Sequence, residues 1–340
     1  MKQNIINAIA GFDSSKKVSV GFDGYIDRIL RVRQHDAQGN RYIETIRQFG
    51  SYLLEKAGKS CSLELQQTVE KAGGNMPNYA AALSRLDVKV TCIGALGWPG
   101  VHPLFRDALK GCELFSMGQP GKSDALEFRD GKVMLAHNQD IDALDYPTFS
   151  SRVNPRMVAQ SFADADLMAF FNWSEMKGAT SIWAGLCDLI VERAGRPIHM
   201  LVDFSDCSGR SKEEILEIIE VLRRYQKVFS LYYSLNLNEA EDVARKLEIG
   251  ADTPQGLARA LFRRLQPEAV AIHLINGCVF ANKEQEGFVP NRMIERPTIL
   301  TGGGDNFNAG FSFGLLLGLA IPEALLLGNA VSGYYVLHGQ

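Results

Sequence analysis

Short apolar runs recur along the chain at Val18–Phe22, Val88–Ile93, Leu167–Phe171, Ile198–Phe204, Val228–Tyr233 and Ala269–Leu274. Between them, apolar positions fall at helical spacing over Ala80–Leu86, Ile182–Ala194, Lys212–Tyr225, Glu239–Leu247 and Pro254–Leu265. Strands that are apolar throughout are covered on both faces, and helices of this length are the crossovers that join parallel strands. The pattern therefore predicts an α/β protein with a mainly parallel sheet. Two stretches break the alternation. Arg31–Ile46 alternates polar and apolar positions, and Ala125–His137 reads as a hairpin turning at Asp130-Gly131. Strands of that kind outside the main sheet suit a small second layer, a lid. A longer apolar stretch, Phe307–Leu327, is interrupted by Asn308, Ser312, Pro322 and Glu323, and reads as a buried helix pair rather than a membrane span.

Composition narrows the class. With 340 residues and 46% hydrophobic content there is enough material for a large core. The net charge of -3 gives no basic field, so neither nucleic acid nor an anionic membrane is expected as a partner. Six scattered cysteines without a CxxC pair, and an N-terminus without a sustained apolar segment, fit a reduced, cytoplasmic protein.

The chemistry concentrates in two glycine stretches. In TGGGDNFNAGF, Gly302, Gly303 and Gly304 precede Asp305 and an apolar helical run. Glycines leave backbone amides unshielded, and the first amides of a helix lack internal partners at the positive end of its dipole. The stretch suits an anion such as phosphate. A carboxylate there is better used as a base that takes a proton from an attacking hydroxyl. A helix cap is the competing reading of Asp305. A branched side chain at Gly303 is expected to obstruct the loop. Gly310, Gly314 and Gly318 follow at spacings of four and suit close helix packing. The second stretch, GGNMPNYAAALSRL, offers Gly73 and Gly74 for close backbone approach and Asn75 and Asn78 as donors and acceptors for neutral hydroxyls. A turn with an asparagine cap accounts for it equally well.

Together these stretches resemble the two signatures of the PfkB (ribokinase-like) carbohydrate kinase family. GG-x-x-x-N-x-A-x-x-L-x-R-L is matched from Gly73 through Leu86, and G-A-G-D-x-F-x-A-G is read as Gly302-Gly303-Gly304-Asp305 with Phe307, Ala309 and Gly310. The resemblance implies a single 1–340 domain, a Rossmann-like three-layer α/β/α sandwich with a small β-sheet lid, here within about 24–48 and 112–140. It also implies transfer of the γ-phosphate of ATP, with Mg²⁺, to a hydroxyl of a sugar or related polyol. Asp305 would be the base and Gly302 to Gly304 the anion hole. Gly73, Gly74, Asn75 and Asn78 would lie at the sugar with Asp27 of GFDGYID, Asp23 being a second candidate. Asn236 and Glu239 match an N-x-x-E motif that acts near magnesium and phosphate, and they read equally as a capping box. Asp203, at the end of HMLVD, lies where open α/β sheets place ligands. Gly277 and Asn329 match positions on the nucleotide side. Lids of this family often pair, which implies a homodimer.

The chain departs from the family pattern in three places. Ile299 and Leu300 replace an Asp-Thr pair that shapes a monovalent-cation loop, so potassium is expected to have little effect. IHLING (Ile272–Gly277) keeps only the last glycine of a T-L-G-x-x-G segment. GWPGVHPLF replaces G-x-D after the first signature. The stretch Arg47–Lys71 is also long and is read as adding a helix over Glu44–Ala57. Half of a Walker loop, AGKS, sits there without its first glycine or a preceding strand. No GxGxxG follows the first strand, and no HExxH, cysteine–histidine array or nucleophile elbow is present. A sugar kinase is the leading reading. A nucleoside kinase, or a catalytically weak ligand-binding or regulatory protein on the same fold, are the alternatives.

Overall fold

The computed structural model describes residues 2–36, 39–294, 297–299 and 301–339. Its strands in chain order are β1 (Lys17–Phe22), β2 (Tyr25–Asp36), β3 (Gly39–Tyr42), β4 (Glu64–Gly73), β5 (Lys89–Gly94), β6 (Glu113–Ser116), β7 (Gly121–Phe128) and β8 (Gly131–His137). They continue with β9 (Leu167–Phe171), β10 (His199–Asp203), β11 (Ser230–Asn236), β12 (Ala269–Leu274), β13 (Gly277–Asn282) and β14 (Glu286–Pro290).

Nine of these strands form one sheet in the order β14-β13-β12-β11-β10-β9-β1-β5-β6. From β12 to β6 all neighbours run parallel, and β13 and β14 are added antiparallel at one edge. The period of two along each strand divides its side chains between two cores. In β9, Met168 and Phe170 pack on one face of the sheet, and Leu167, Ala169 and Phe171 on the other. The first face is covered by helices that include Ala179–Arg193 and Lys212–Gln226. The second is covered by Asn75–Ser84 and by the pair Gly303–Leu316 and Ile321–His338. The outcome is an α/β/α sandwich.

The helix pair shows why glycine spacing matters. A Cβ on Gly310 would lie 2.6 Å from the Leu327 carbonyl oxygen, and one on Gly314 would lie 2.5 Å from Ala324 Cα. Gly318 has a different role. It adopts φ +68 just past the helix end, where the amides of Gly318 and Leu319 satisfy the Leu315 and Gly314 carbonyls.

A second, five-stranded sheet holds β2, β3, β4, β7 and β8 over a small core of Leu30, Val32, Ile43, Leu126 and Phe128. It differs from the sequence reading in three respects. β6, inside 112–140, joins the edge of the large sheet. β4 follows the helix Ile46–Glu55, which the sequence reading expects within Glu44–Ala57, and pairs along β2 although it lies outside the segments expected for the lid. The β7–β8 turn is the two-residue Arg129-Asp130, because Phe128 pairs with Gly131.

Candidate active site

A cleft of about 470 Å³ opens at the C-terminal ends of the parallel strands, with β2, β7 and β8 forming one wall. Asp203, Asn236 and His273 reach it from the ends of β10, β11 and β12, and Asn172 from just beyond β9. This is where parallel sheets carry ligands, since every helix start and strand end there points one way.

Asp305 lies in the first turn of the Gly303–Leu316 helix and is buried. Asn78 Nδ2 donates to its Oδ2 at 2.8 Å. Burial holds the Asp305 carboxyl well above the usual carboxylate range, the Asn78 hydrogen bond opposes this, and Asp203 and Asp23 push it further up. Gly302, the residue before the helix, carries φ +90. Gly303, by contrast, has ordinary helical geometry, and a Cβ there would sit 3.4 Å from Val336 Cγ2. The glycine-only position is therefore Gly302, which corrects the expectation placed on Gly303.

The first glycine pair also has a different purpose from the expected one. A Cβ on Gly73 would run into the Asp27 carboxylate, and one on Gly74, at φ +101, would sit 2.6 Å from Asp23 Oδ2. Each glycine makes room for one carboxylate of GFDGYID. Asp27 then lines the cleft beside Gly74, Asn75 and Asn78. Asp23 is fully buried and accepts from the amides of Asn75 (2.7 Å) and Met76 (2.8 Å) and from Asn172 Nδ2 (2.8 Å). It caps the Asn75–Ser84 helix, whose own N-cap, Gly74, has no side chain to do so.

Asn236 and Glu239 form a complete capping box. The Glu239 amide donates to Asn236 Oδ1 at 2.9 Å, the Asn236 amide to Glu239 Oε2 at 2.8 Å, and Asn236 Nδ2 to Glu239 Oε1 at 2.6 Å. The cap fixes a buried carboxylate in the cleft. Burial and the nearby Asp203 hold it well above the usual range. Asp203 accepts from the Ser205 amide at 2.8 Å and from Asn308 Nδ2 at 2.7 Å, and burial pushes it up to about 6.

Of the residues the sequence singles out, Asp27, Gly74, Asn75, Asn78, Asn236, Glu239, Gly302, Gly304 and Asp305 line this cleft. Gly73 and Gly303 lie behind the lining. Gly277 and Asn329 are elsewhere. Gly277 takes φ +155 where β13 passes close to the Val289 carbonyl and the Phe288 ring, a packing requirement. Asn329 Nδ2 donates to the Val289 carbonyl at 3.1 Å and borders a separate groove of about 690 Å³ between residues 291–294 and the last helix. Sequence reasoning missed His273, which a Cβ on Gly304 would approach to 3.3 Å, and whose burial lowers its pKa to about 4. It also missed Asn172 and Glu175.

Ile299 donates its amide to the Val336 carbonyl at 3.3 Å, and Leu300 lies outside the described residues. An aliphatic side chain at position 299 offers no oxygen to a cation. Replacing sodium by potassium is accordingly expected to change the rate by less than about two-fold, and a several-fold rise would show that other groups bind the ion.

Six carboxylates line the cleft (Asp27, Glu175, Asp203, Asp206, Glu239 and Asp305), and no lysine or arginine does so among the described residues. No three Asp, Glu, His or Cys side chains among the described residues are grouped to enclose a metal ion. That donor set would suit a divalent cation that keeps several of its waters, and not an all-protein cage.

Comparison with known proteins shows what the chain is similar to. Residues 8–340 match the prokaryotic ketohexokinase family. A ketohexokinase of Haloferax volcanii is 28% identical over 95% of this chain and 88% of its own length. The adenosine kinase of Sinorhizobium meliloti superposes with a TM-score of 0.68 at 19% identity, covering 96% of this chain and 94% of that one. The ribokinase of Thermotoga maritima gives 0.66 at 16% identity, with 95% and 93% covered. These two structures are alike in fold.

Proposed function

Since the chain belongs to the prokaryotic ketohexokinase family and is a carbohydrate kinase of the PfkB type, we propose that it transfers the γ-phosphate of ATP to a hydroxyl of a ketohexose, with Asp305 as the general base. The observation that carries this reading is the buried Asp305 carboxylate, held by Asn78 at the amide-rich start of a helix and inside one cleft with Asp27 and Asn75. The amides of Gly303 and Gly304 have no partner within the helix and face the charge of a transferring phosphoryl group. Asp27, Asn75 and Asn78 bind and orient the acceptor, so that its hydroxyl lies against Asp305. Burial raises the carboxyl toward working pH, which favours proton transfer in the transition state. The purine end of ATP is assigned to the groove beside Asn329. Magnesium, held through water by Glu239 with Asp203 nearby, would supply the positive charge that a triphosphate needs in an acidic cleft.

The test is phosphorylation of D-fructose, ribose and adenosine by the purified protein with MgATP. A kcat/KM for the ketohexose at least about tenfold above the other two is expected. Preference for adenosine would favour a nucleoside kinase, and no transfer at all a binding protein. Glu239→Gln separates cap from metal site. Glutamine keeps the bond from the Asn236 amide but sets its NH₂ against Asn236 Nδ2, so stability should fall by no more than about 1–2 kcal/mol, while the magnesium needed for half-maximal rate rises roughly tenfold. An unchanged magnesium dependence would reduce Glu239 to a cap.

A further inference from the structure

Asn172 is 2% exposed, yet it lines the cleft. Its backbone takes φ +58, a left-handed conformation in which non-glycine residues are uncommon and which concentrates at functional sites. Its amide nitrogen Nδ2 donates to Asp23 Oδ2, and its carbonyl oxygen Oδ1 is buried without a hydrogen-bond partner among the described residues.

The orientation of that amide follows from chemistry. Both Asp23 oxygens already accept backbone N–H groups, from Asn75 on Oδ2 and Met76 on Oδ1. Asp23 is thus an acceptor toward Asn172, and the NH₂ of Asn172 must face it. Turning the amide over would set a carbonyl oxygen against a carboxylate oxygen. An orphaned acceptor in a buried position costs free energy until a donor arrives. Among the described residues no lysine or arginine lines the cleft to supply one, whereas a sugar hydroxyl is a donor.

The geometry points to Asn172 as a specificity-determining residue that accepts a hydrogen bond from one hydroxyl of the acceptor sugar, with Asp23 as the positioning residue that fixes its amide. This deepens the ketohexose-kinase reading and rests on it for the class of ligand. The same Asp23 carboxylate anchors the helix start that carries Asn75 and Asn78. One buried carboxylate therefore orients the Asn172 amide and anchors the helix turn that carries Asn75 and Asn78.

The experiment compares D-fructose with its single-hydroxyl epimers D-psicose, D-tagatose and L-sorbose, in the wild type, Asn172→Ala and Asp23→Asn. Initial rates and isothermal titration are read on each. The wild type is expected to disfavour at least one epimer by roughly 5–100-fold, the range for an unmatched buried polar group. In Asn172→Ala that discrimination should fall to within about two-fold, the others should persist, and KM for ATP should hold within about two-fold. Asp23→Asn offers Asn172 a partner amide that can hold it in either orientation, so the same epimer's discrimination should weaken or invert. Should Asp23→Asn fail to fold, Asn172→Ala carries the test alone. Full retention of all epimer preferences in a folded Asn172→Ala would overturn the proposal. Epimer-selective binding that depends on Asn172 without phosphoryl transfer would uphold it and defeat the kinase reading. No binding of any of the four sugars by the wild type would defeat both.

Discussion

Asp305→Asn is expected to lower turnover by roughly 10²–10⁴-fold, the range for a positioned proton acceptor, while the folded protein becomes no less stable. The substitution keeps size and helix position, and the new amide oxygen can still accept from Asn78. What it removes is the ability to take a proton. It also removes a charge that the interior disfavours. Burial raises the pKa of Asp305, so the folded state pays to keep it ionised at neutral pH. Stability from this group is therefore greatest below the unfolded carboxylate range and declines as pH rises toward the raised folded value. The variant should accordingly unfold at an equal or higher temperature near pH 7. In the wild type, kcat/KM should fall on acidification through a pKa above the ordinary carboxylate range. The variant should lack that limb. Steady-state rates and thermal unfolding over pH decide the matter. Wild-type turnover in the variant would leave Asp305 only its structural hydrogen bond with Asn78, since the helix is capped by Gly302 and not by this carboxylate.

Gly302→Val should cripple the protein by another route. At φ +90 a branched residue is strained, and its Cβ would lie 2.9 Å from Tyr335 Oη, which donates to the Thr301 carbonyl at 3.0 Å. Strain and overpacking together cost about 2–4 kcal/mol and turn the first helical amides away from the cleft. Affinity for ATP should fall at least about tenfold with turnover. Gly303→Ala, one residue on, meets only ordinary contacts and should stay near wild type. Equal damage at both positions in nucleotide titrations would remove the argument from backbone conformation.

The parallel strands β1, β5 and β9 to β12 are legible because both of their faces are covered, which leaves predominantly apolar runs. β4 is not legible. ELQQTVEKAG is mostly exposed, carries no apolar period, and owes its place to backbone pairing with β2. The edge strands β6 and β14 are short and mixed, and β13 continues an antiparallel hairpin from β12 that the crossover pattern of parallel strands does not announce. In the site, the residues inside the glycine motifs can be read directly, because neighbours in sequence stay neighbours at a helix start. Asn172 and His273 cannot be found this way, since only the order of strands in the sheet brings their ends to the cleft. Nor does spacing separate Asp23 from Asp27. The fold does so by burying the first beneath a helix and leaving the second on the wall of the cleft.

The pairing of Tyr25 with Gly73, together with the Asn75 amide on Asp23, ties β2 and β4 at their shared root. The Gly121 amide on the Gly24 carbonyl, at 2.9 Å, ties β7 to the same point. Three strands of the second sheet thus spring from one knot, and that knot is also where the residues proposed to bind the acceptor begin. Such a flap has a fixed fulcrum. Its outer half can lengthen, bend or change sequence over generations while Asp27, Asn75 and Asn172 keep their spacing. Acceptor size can then evolve at the tip while the reacting hydroxyl stays registered at the root.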